Sequence, residues 1–322
     1  MLMNSNLGLA IARATEVAAI KSSKWLGRGD KNAADQAAVN GMREMFDLID
    51  INGTVVIGEG EKDEAPMLYI GEHIGKDGDA YIKVDIAVDP LDGTTSTAKG
   101  RGNAISVVAV APEGRLYTTK VFYMEKIVVG PDAKDAIDLN KPFKENLLNI
   151  AEALDKDIED LTVTMLERDR HKDYINQCRE LGCRLKLFND GDVGAAIATC
   201  VADSGVDVLF GIGGCPEGVL AAAALKCLGG GMQCRLHAHT ESEKKLAHED
   251  PDFYNILTLD DLAKGDDILF IATGVSDGDL LRGVRFMPND KIETQSVVMR
   301  SASGTIRYIK AYHDMKKKPV DL

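Results

Sequence analysis

A regular alternation of strand and helix patterns in the second half of the chain limits the folds open to it. Strand patterns lie at 161–166, 184–188 and 206–212, and helix patterns at 173–181, 193–201 and 217–228. Strands that alternate with helices of this length form parallel sheets through βαβ crossovers. The second half is therefore predicted to have an α/β fold, whereas the polar stretch 237–255 is predicted to be an exposed loop.

The first half has a different pattern. Two helix patterns come first, at about 7–26 and 34–49, and the second carries Ala38, Met42, Met45 and Ile49 at helical spacing. Strand patterns then follow closely at 54–57, 81–88, 104–111 and 121–129. Strands with few helices between them favour an antiparallel or mixed sheet packed on helices. We predict two intimate subdomains, an α+β part at 1–142 and an α/β part at 143–322.

Composition excludes several classes of function. A net charge of −13 argues against an extended nucleic-acid interface, which needs a basic stripe. No apolar stretch approaches the roughly 20 residues of a membrane span, and the N-terminus lacks the basic start of a signal peptide. None of the six cysteines forms a Cys-x-x-Cys pair, so neither zinc nor a disulfide framework is expected. These features predict a cytoplasmic protein with reduced thiols.

The strand pattern 81–88 runs directly into Asp89-Pro90-Leu91-Asp92-Gly93-Thr94. Because proline cannot donate to a sheet ladder, the strand is predicted to end at Asp89. Two carboxylates across such a turn can converge on hard cations, and the N–H groups of Gly93 and Thr94 could bind a phosphate oxygen. The alternative is an ordinary surface turn, since Asp, Pro and Gly are good turn residues.

Two further segments present carboxylates where an element ends or begins. The strand pattern 54–57 is followed by Gly58-Glu59-Gly60, whose glycines allow close backbone approach to a ligand. A helix opens near Lys31 and Asp35, which share one helical face. The alternatives are a solvated acidic turn in the first case and a surface ion pair, or capping by Asp30, in the second. Carboxylates at three separate strand or helix ends suit a phosphoryl-transfer site with two or three metal ions.

The order Asp35, Gly58-Glu59-Gly60-Glu61, Asp89-Pro90-Leu91-Asp92-Gly93-Thr94 resembles the lithium-sensitive, metal-dependent phosphatase superfamily. Further segments resemble, more narrowly, the bacterial class II fructose-1,6-bisphosphatases. They are Trp25 to Asn32, Val56 to Glu61, Glu64 to Glu72, Tyr123 to Lys126, Asp190 to Val193 and Gly211 to Gly218. The resemblance spans nearly the whole chain in matching order. It implies a layered α-β-α-β-α sugar phosphatase fold.

The resemblance also implies roles for individual residues. Asp35 and Glu59 would bind one Mn²⁺ or Mg²⁺ ion, and Asp89, Asp92 and Glu217 a second. Lys31, Asp63 and Thr94 would orient or activate the attacking water. The substrate-binding residues would be Asp92, Gly93, Thr94, Tyr123, Arg168, Arg170, Asp190, Gly191, Asp192 and Gly214. The part at 1–142 would then be the metal-binding catalytic subdomain, and 143–322 the substrate-binding one.

Three positions or segments depart from the family pattern. Position 92 is Asp where the close family usually has Glu, Glu167-Arg168-Asp169-Arg170 replaces a Lys-Pro-Arg-like segment, and the stretch from about 236 to 256 is short. A shorter carboxylate side chain at 92 bears on metal spacing and so on metal preference. The Arg168 segment keeps two cations for a phosphate.

The leading hypothesis is hydrolysis of the 1-phosphate of fructose-1,6-bisphosphate in gluconeogenesis, by a homo-oligomer as the resemblance implies. Alternative substrates are sedoheptulose-1,7-bisphosphate, alone or with the fructose ester, an inositol phosphate and a nucleotide phosphate. A third hypothesis is a non-catalytic regulator that binds metal and sugar phosphate. The water-orienting Lys31, Asp63 and Thr94 argue against it, because a pure binder would not need them.

Overall fold

The computed structural model describes residues 3–4, 6–60, 67–238 and 240–317. Its helices are α1 Leu7–Ser23, α2 Lys31–Phe46, α3 Thr94–Ala98, α4 Phe143–Ala153, α5 Lys172–Leu181, α6 Asp192–Ala198, α7 Cys215–Leu228, α8 Glu241–Glu249 and α9 Leu259–Leu262. Its strands are β1 Asn52–Ile57, β2 His73–Gly75, β3 Lys83–Asp92, β4 Ile105–Pro112, β5 Tyr123–Val129, β6 Thr162–Leu166, β7 Arg184–Phe188, β8 Val208–Gly214, β9 Gly231–His237, β10 Leu257–Thr258, β11 Leu269–Gly274, β12 Arg285–Met287, β13 Lys291–Arg300 and β14 Thr305–Asp314. The predicted α/β fold class is confirmed. The five-layer order stays a prediction.

One compact unit comprises the described residues within Met1–Leu116 and Gly265–Leu322. Its sheet has the order β12-β13-β11-β4-β3-β1-β2, with β14 paired to β13. The β1–β3 pair is parallel and the other pairs are antiparallel, so the mixed sheet expected for the first half is present. The core between this sheet and helices α1 and α2 contains Ile11, Met42, Phe46, Ile86 and Ile271, all fully buried.

The second unit spans Tyr117–Lys264 and has the sheet order β10-β9-β5-β8-β6-β7. Strand β6 lies parallel to both β7 and β8, as the βαβ pattern predicted. Strand β5 lies between β8 and β9 and is antiparallel to both. The core includes Ile127, Leu147 and Val163, with Phe143 and Phe210 in ring contact.

The observed division of the chain into two compact units differs from the prediction of a single boundary at 142/143. The first unit ends at Leu116 and resumes at Gly265. The reason is that β11 pairs with both β4 and β13, so the C-terminal strands complete the sheet begun by the N-terminal half.

The prediction of an exposed loop at 237–255 is wrong, because helix α8 lies within it. Thr240 forms a capping box with Glu243: the threonine side chain accepts from the Glu243 N–H, and the glutamate accepts from the Thr240 N–H. The Thr-x-x-Glu spacing is a helix-start signal visible in the sequence. Over the described part of the chain, no helix combines the length and apolarity that crossing a membrane would require.

Candidate active site

Strand β3 carries Asp89 and Asp92 at its end, and it does not stop at Asp89 as predicted. It continues to Asp92 through a bulge: Asp89 is opposite Val107 and Asp92 is opposite Ile105, so one extra residue is accommodated on β3. Pro90 is tolerated because it lies inside the bulge, where the ladder is interrupted. The Leu91 N–H donates to Asp89 Oδ1 at 3.1 Å. The bulge therefore fixes both carboxylates on a buried strand.

Gly93 turns the chain from β3 into helix α3, which begins at Thr94. Its φ of 104° lies in the left-handed region, and a Cβ here would lie 3.1 Å from the Ala104 Cα. Only glycine makes this turn without strain. Asp92 is 5% exposed and Thr94 is partly exposed. The short turn thus presents the Thr94 hydroxyl directly after the buried Asp92 carboxylate.

The other two carboxylates of this unit that were predicted to bind metal are Asp35, on α2, and Glu59, just after β1. Gly58 makes the placement of Glu59 possible, since a Cβ at Gly58 would lie 1.9 Å from the Leu68 carbonyl oxygen. The Glu59 N–H donates to that carbonyl at 2.9 Å. Asp30 caps α2 by accepting from the Ala33 N–H at 2.9 Å, so the capping alternative holds for Asp30.

Asp35 and Glu59 act on one another electrostatically. Burial, followed by repulsion from Asp35, raises the pKa of Glu59 to about 7. Burial also raises the pKa of Asp35. Two partly buried carboxylates, one of which raises the pKa of the other, are a donor set that a hard divalent cation suits.

Two further site residues, Lys31 and Asp63, were predicted in this part of the chain. Lys31, the first residue of α2, is exposed. Asp63 lies outside the described residues. In the ranges 3–4, 6–60, 67–238 and 240–317, no three His, Cys, Asp or Glu side chains already converge closely enough to hold a metal ion. The side chains brought together in this unit are therefore the Asp35–Glu59 pair and the Asp89–Thr94 segment.

In the second unit, Arg170 is held in place from two sides. Its Nε and Nη2 both donate to the Ile212 carbonyl, at 3.0 and 2.8 Å, and its guanidinium lies 5.5 Å from the centre of the Tyr123 ring. Arg168 is exposed, and its Nη2 donates to the Asn189 carbonyl at 2.5 Å. The structure thus brings Tyr123 and Arg170, two of the residues predicted to bind substrate, into contact.

His171 is an anchor that the sequence did not reveal. Its Nδ1 lies 2.7 Å from the Leu166 carbonyl, and its Nε2 accepts from the Ile212 N–H at 2.8 Å. Burial, as the largest cause, lowers the pKa of His171. The neutral ring therefore ties the arginine-bearing segment to β8. A scattered histidine gives no sequence signal for such a role.

Asp192 opens α6 after Gly191, whose φ of 87° requires glycine in practice. The Asp192 Oδ2 forms an ion pair with Lys126 Nζ at 2.5 Å, and both side chains are buried. The Asp192 Oδ1 is buried with no hydrogen-bond partner in the described part of the chain. Asp190, two residues earlier, is partly exposed. Lys126 was not predicted as a site residue, although a lysine within an apolar strand pattern is a usable signal.

Glu217 lies in the first turn of α7, close to the same lysine. Its Oε2 is buried and, among the described residues, has no hydrogen-bond partner. Burial and then the charge of Asp192 raise the pKa of Glu217. Burial alone would lower the pKa of Lys126, but Asp192 and Glu217 outweigh it, so that pKa is raised. The buried ammonium of Lys126 thus pairs with Asp192 and acts electrostatically on Glu217 as well.

Two successive glycines make room for these carboxylates. A Cβ at Gly214 would lie 1.9 Å from Glu217 Oε2, and a Cβ at Gly213 would lie 2.4 Å from Asp192 Oδ2. Gly214 was predicted to bind substrate. Its structural reason to be glycine is the approach of the Glu217 side chain.

Comparisons with known proteins identify the family of the chain. Residues 5–313 match the family model described as bacterial fructose-1,6-bisphosphatase, glpX-encoded. The chain is 46% identical over 335 aligned positions to fructose-1,6-bisphosphatase 1 class 2 of Escherichia coli K12, covering 99% of this chain and 98% of the relative. The same values hold for the class 2 fructose-1,6-bisphosphatases of Escherichia coli O6:H1 and Shigella flexneri. The chain therefore belongs to the bacterial glpX-encoded fructose-1,6-bisphosphatase family.

Proposed function

We propose that this protein hydrolyses the 1-phosphate of fructose-1,6-bisphosphate, giving fructose 6-phosphate and inorganic phosphate in gluconeogenesis. The proposal rests on the family and on the chemistry of the placed side chains. A divalent cation, Mn²⁺ or Mg²⁺, would polarise the phosphoryl oxygens and lower the pKa of a bound water. We propose Asp35, Glu59, Asp89, Asp92 and Glu217 as the carboxylates that bind such ions.

The observation that carries the proposal is the Asp35–Glu59 pair. The two carboxylates come from different elements, and each is partly withdrawn from solvent. Their mutual repulsion contributes to a Glu59 pKa of about 7. Placing two acids this way is costly unless a cation neutralises them, which favours metal binding over an accidental acidic surface.

We assign the remaining roles by chemistry. Arg168 and Arg170 suit the phosphate that is not hydrolysed, with Tyr123 stacked beside Arg170. Asp190 and Asp192 can accept hydrogen bonds from sugar hydroxyls. We propose that Lys31, Asp63 and Thr94 orient the attacking water, and that the N–H groups at Gly93 and Thr94 bind the reacting phosphate.

The test is release of inorganic phosphate from fructose-1,6-bisphosphate by the purified chain, with Mn²⁺, with Mg²⁺ and with chelator. We expect release that requires metal and that is lost in Asp89→Ala. Asp77→Ala is the matched control, because Asp77 is an almost fully exposed carboxylate of the same unit. Metal-independent release, or near-normal turnover in Asp89→Ala, would contradict the assignment.

The same assay on sedoheptulose-1,7-bisphosphate ranks the two sugar bisphosphates. Metal preference and a homo-oligomeric state stay predictions from the resemblance, and a cytoplasmic location stays a prediction from composition and cysteine usage.

A further inference from the structure

Lys126 has no role in the proposed reaction, yet it is the most completely buried charged group beside the proposed substrate residues. It is 2% exposed and its ion-pair partner Asp192 is 8% exposed. A buried ammonium is costly unless carboxylates surround it, and removing one partner of a buried pair is strongly destabilising. The contacts of Lys126 therefore indicate which segments it holds in place.

The ammonium of Lys126 reaches two separate turns. One contact is the ion pair to Asp192, at the turn from β7 into α6, with 2.5 Å between Nζ and Oδ2. The other is a hydrogen bond of 3.5 Å to the Gly214 carbonyl, at the turn from β8 into α7. The first turn carries the proposed sugar-binding carboxylates, and the second leads to Glu217. A single side chain thus links the segments on which the substrate assignments of this unit depend.

The packing leaves Lys126 little freedom. A Cβ at Gly213 would lie 2.4 Å from Asp192 Oδ2 and 3.0 Å from Lys126 Nζ, so the ion pair fills the place of a side chain. The cavity beside Lys126 and Asp192 has a volume of about 10 Å³. This is about the smallest space that holds one water. Little space is therefore left beside the ion pair for another position of the ammonium.

We propose that Lys126 is a positioning residue for sugar recognition: its ammonium fixes Asp192 and the Gly214 turn so that the enzyme binds the sugar part of its substrate. The inference rests on the proposed function, because Asp190, on the turn that Asp192 anchors, contacts a sugar hydroxyl only if a sugar phosphate is bound. Asp192 uses Oδ2 for the lysine and its Oδ1 is buried, so the ion pair holds the turn from which the partly exposed Asp190 reaches the sugar. Lys126 acts through Asp192 and does not itself touch the reacting phosphate.

Two variants test the proposal by different routes. Lys126→Met removes the ammonium and nearly keeps its length. Gly213→Ala keeps both charges but inserts a methyl group where the pair lies, on strand backbone that any residue can adopt. We expect each to raise KM for fructose-1,6-bisphosphate about tenfold or more, the effect of losing one hydrogen bond to a charged group. We expect kcat at saturation to change little.

A substrate without sugar hydroxyls separates positioning from general damage. KM for p-nitrophenyl phosphate should change less than about twofold in both variants, since a change that small is under 0.5 kcal/mol. Lys226→Met is the matched control, because Lys226 is also paired, at 2.6 Å from Asp260, but lies in the last turn of α7. Its KM values should equal those of the unmodified chain. Calorimetric binding of fructose 6-phosphate without metal should weaken in parallel with KM.

The outcomes are distinguishable. If a folded Lys126→Met or Gly213→Ala chain keeps the original KM for fructose-1,6-bisphosphate, the positioning role is overturned. Equal losses on both substrates would overturn it too, because they indicate a structural role only. If Lys126→Met fails to fold, Gly213→Ala decides the question. If the unmodified chain releases no phosphate, the proposed function fails, while the fructose 6-phosphate measurement still decides on Lys126.

Discussion

The protein has two acidic clusters, Asp35 with Glu59 and Asp192 with Glu217. They differ in how the repulsion between carboxylates is balanced. In the first unit, Asp35 and Glu59 repel one another, and the pKa of Glu59 rises to about 7. In the second, the charge of Asp192 raises the pKa of Glu217, but the ammonium of Lys126 pairs with Asp192 and acts in the opposite direction. Among the described residues, the second cluster thus contains its own cation, whereas Asp35 and Glu59 form no ion pair and suit a bound cation.

That difference in charge balance corresponds to a difference in proposed chemistry. The ammonium of Lys126 holds the turn that carries Asp190 and Asp192 in one geometry, which suits recognition of a sugar hydroxyl. A carboxylate pair without such an ammonium is stable in the charged form only when a cation binds, which suits a metal centre. Removing a carboxylate from the first cluster should therefore relieve repulsion, whereas removing the ammonium from the second should increase it.

The largest expected effect is the loss of turnover in Glu59→Ala. Removing one of the two carboxylates removes a proposed metal ligand, and metal charge stabilises the transition state by several kcal/mol. We expect kcat for fructose-1,6-bisphosphate to fall by at least about a thousandfold, which is roughly 4 kcal/mol. Steady-state phosphate release at saturating Mn²⁺ and Mg²⁺ measures it.

Glu44→Ala is the control for this variant. Glu44 lies on α2 in the same unit, and it is half-exposed and paired with Lys21 at 2.8 Å. Its turnover should be unchanged. Should Glu59→Ala retain more than about a tenth of the original kcat, a loss of under 1.4 kcal/mol, the metal centre lies elsewhere.

A smaller effect, of opposite sign, is expected on stability without metal. Because the pKa of Glu59 is raised from 4.5 to about 7 in the folded chain, the folded state binds more protons than the unfolded state between these values. Stability therefore falls as pH rises through that window, by about 3 kcal/mol in total. Glu59→Gln removes this penalty. In chelator, we expect Glu59→Gln to be more stable than the unmodified chain by up to about 3 kcal/mol at pH 8, with little difference near pH 4.5.

Urea unfolding in chelator at the two pH values measures this difference. Saturating Mn²⁺ should reverse the order, because an ion that binds only the folded chain stabilises the one that keeps its ligand. A Glu59→Gln chain that is no more stable than the original at pH 8 would show that the Asp35–Glu59 repulsion is relieved within the protein. The contrast between the two units would then fail.

The sequence predicted the local parts of the fold and missed the long-range ones. Strand and helix patterns at 161–228 gave the observed βαβ order, because periodicity is a local property. The insertion of β11 between β4 and β13 was not predicted, since pairing partners depend on contacts far along the chain. Helix α8 was missed although its capping box was readable.

The candidate site shows the same division. The Asp89–Thr94 turn was visible because proline and glycine constrain the backbone locally, yet the bulge that carries β3 on to Asp92 depends on the register with β4. Lys126 could be seen as a charge within an apolar strand, but its partner Asp192 comes from a helix in another part of the chain. Burial of a charge therefore had to be observed in three dimensions.

The smallest expected effect concerns the two arginines of the second unit. It tests whether contacts that hold a guanidinium in place, as Lys126 holds Asp192, contribute to phosphate binding. Arg170 is held by two bonds to the Ile212 carbonyl and by the Tyr123 ring, whereas Arg168 is exposed. A lysine cannot reproduce a fork that bonds and stacks at once. We expect Arg170→Lys to raise KM for fructose-1,6-bisphosphate about tenfold and Arg168→Lys roughly threefold, with kcat nearly unchanged in both. Steady-state kinetics on the two variants, matched in charge, measures the ratio, and equal KM values would show that fixing the Arg170 guanidinium in advance contributes nothing to phosphate binding.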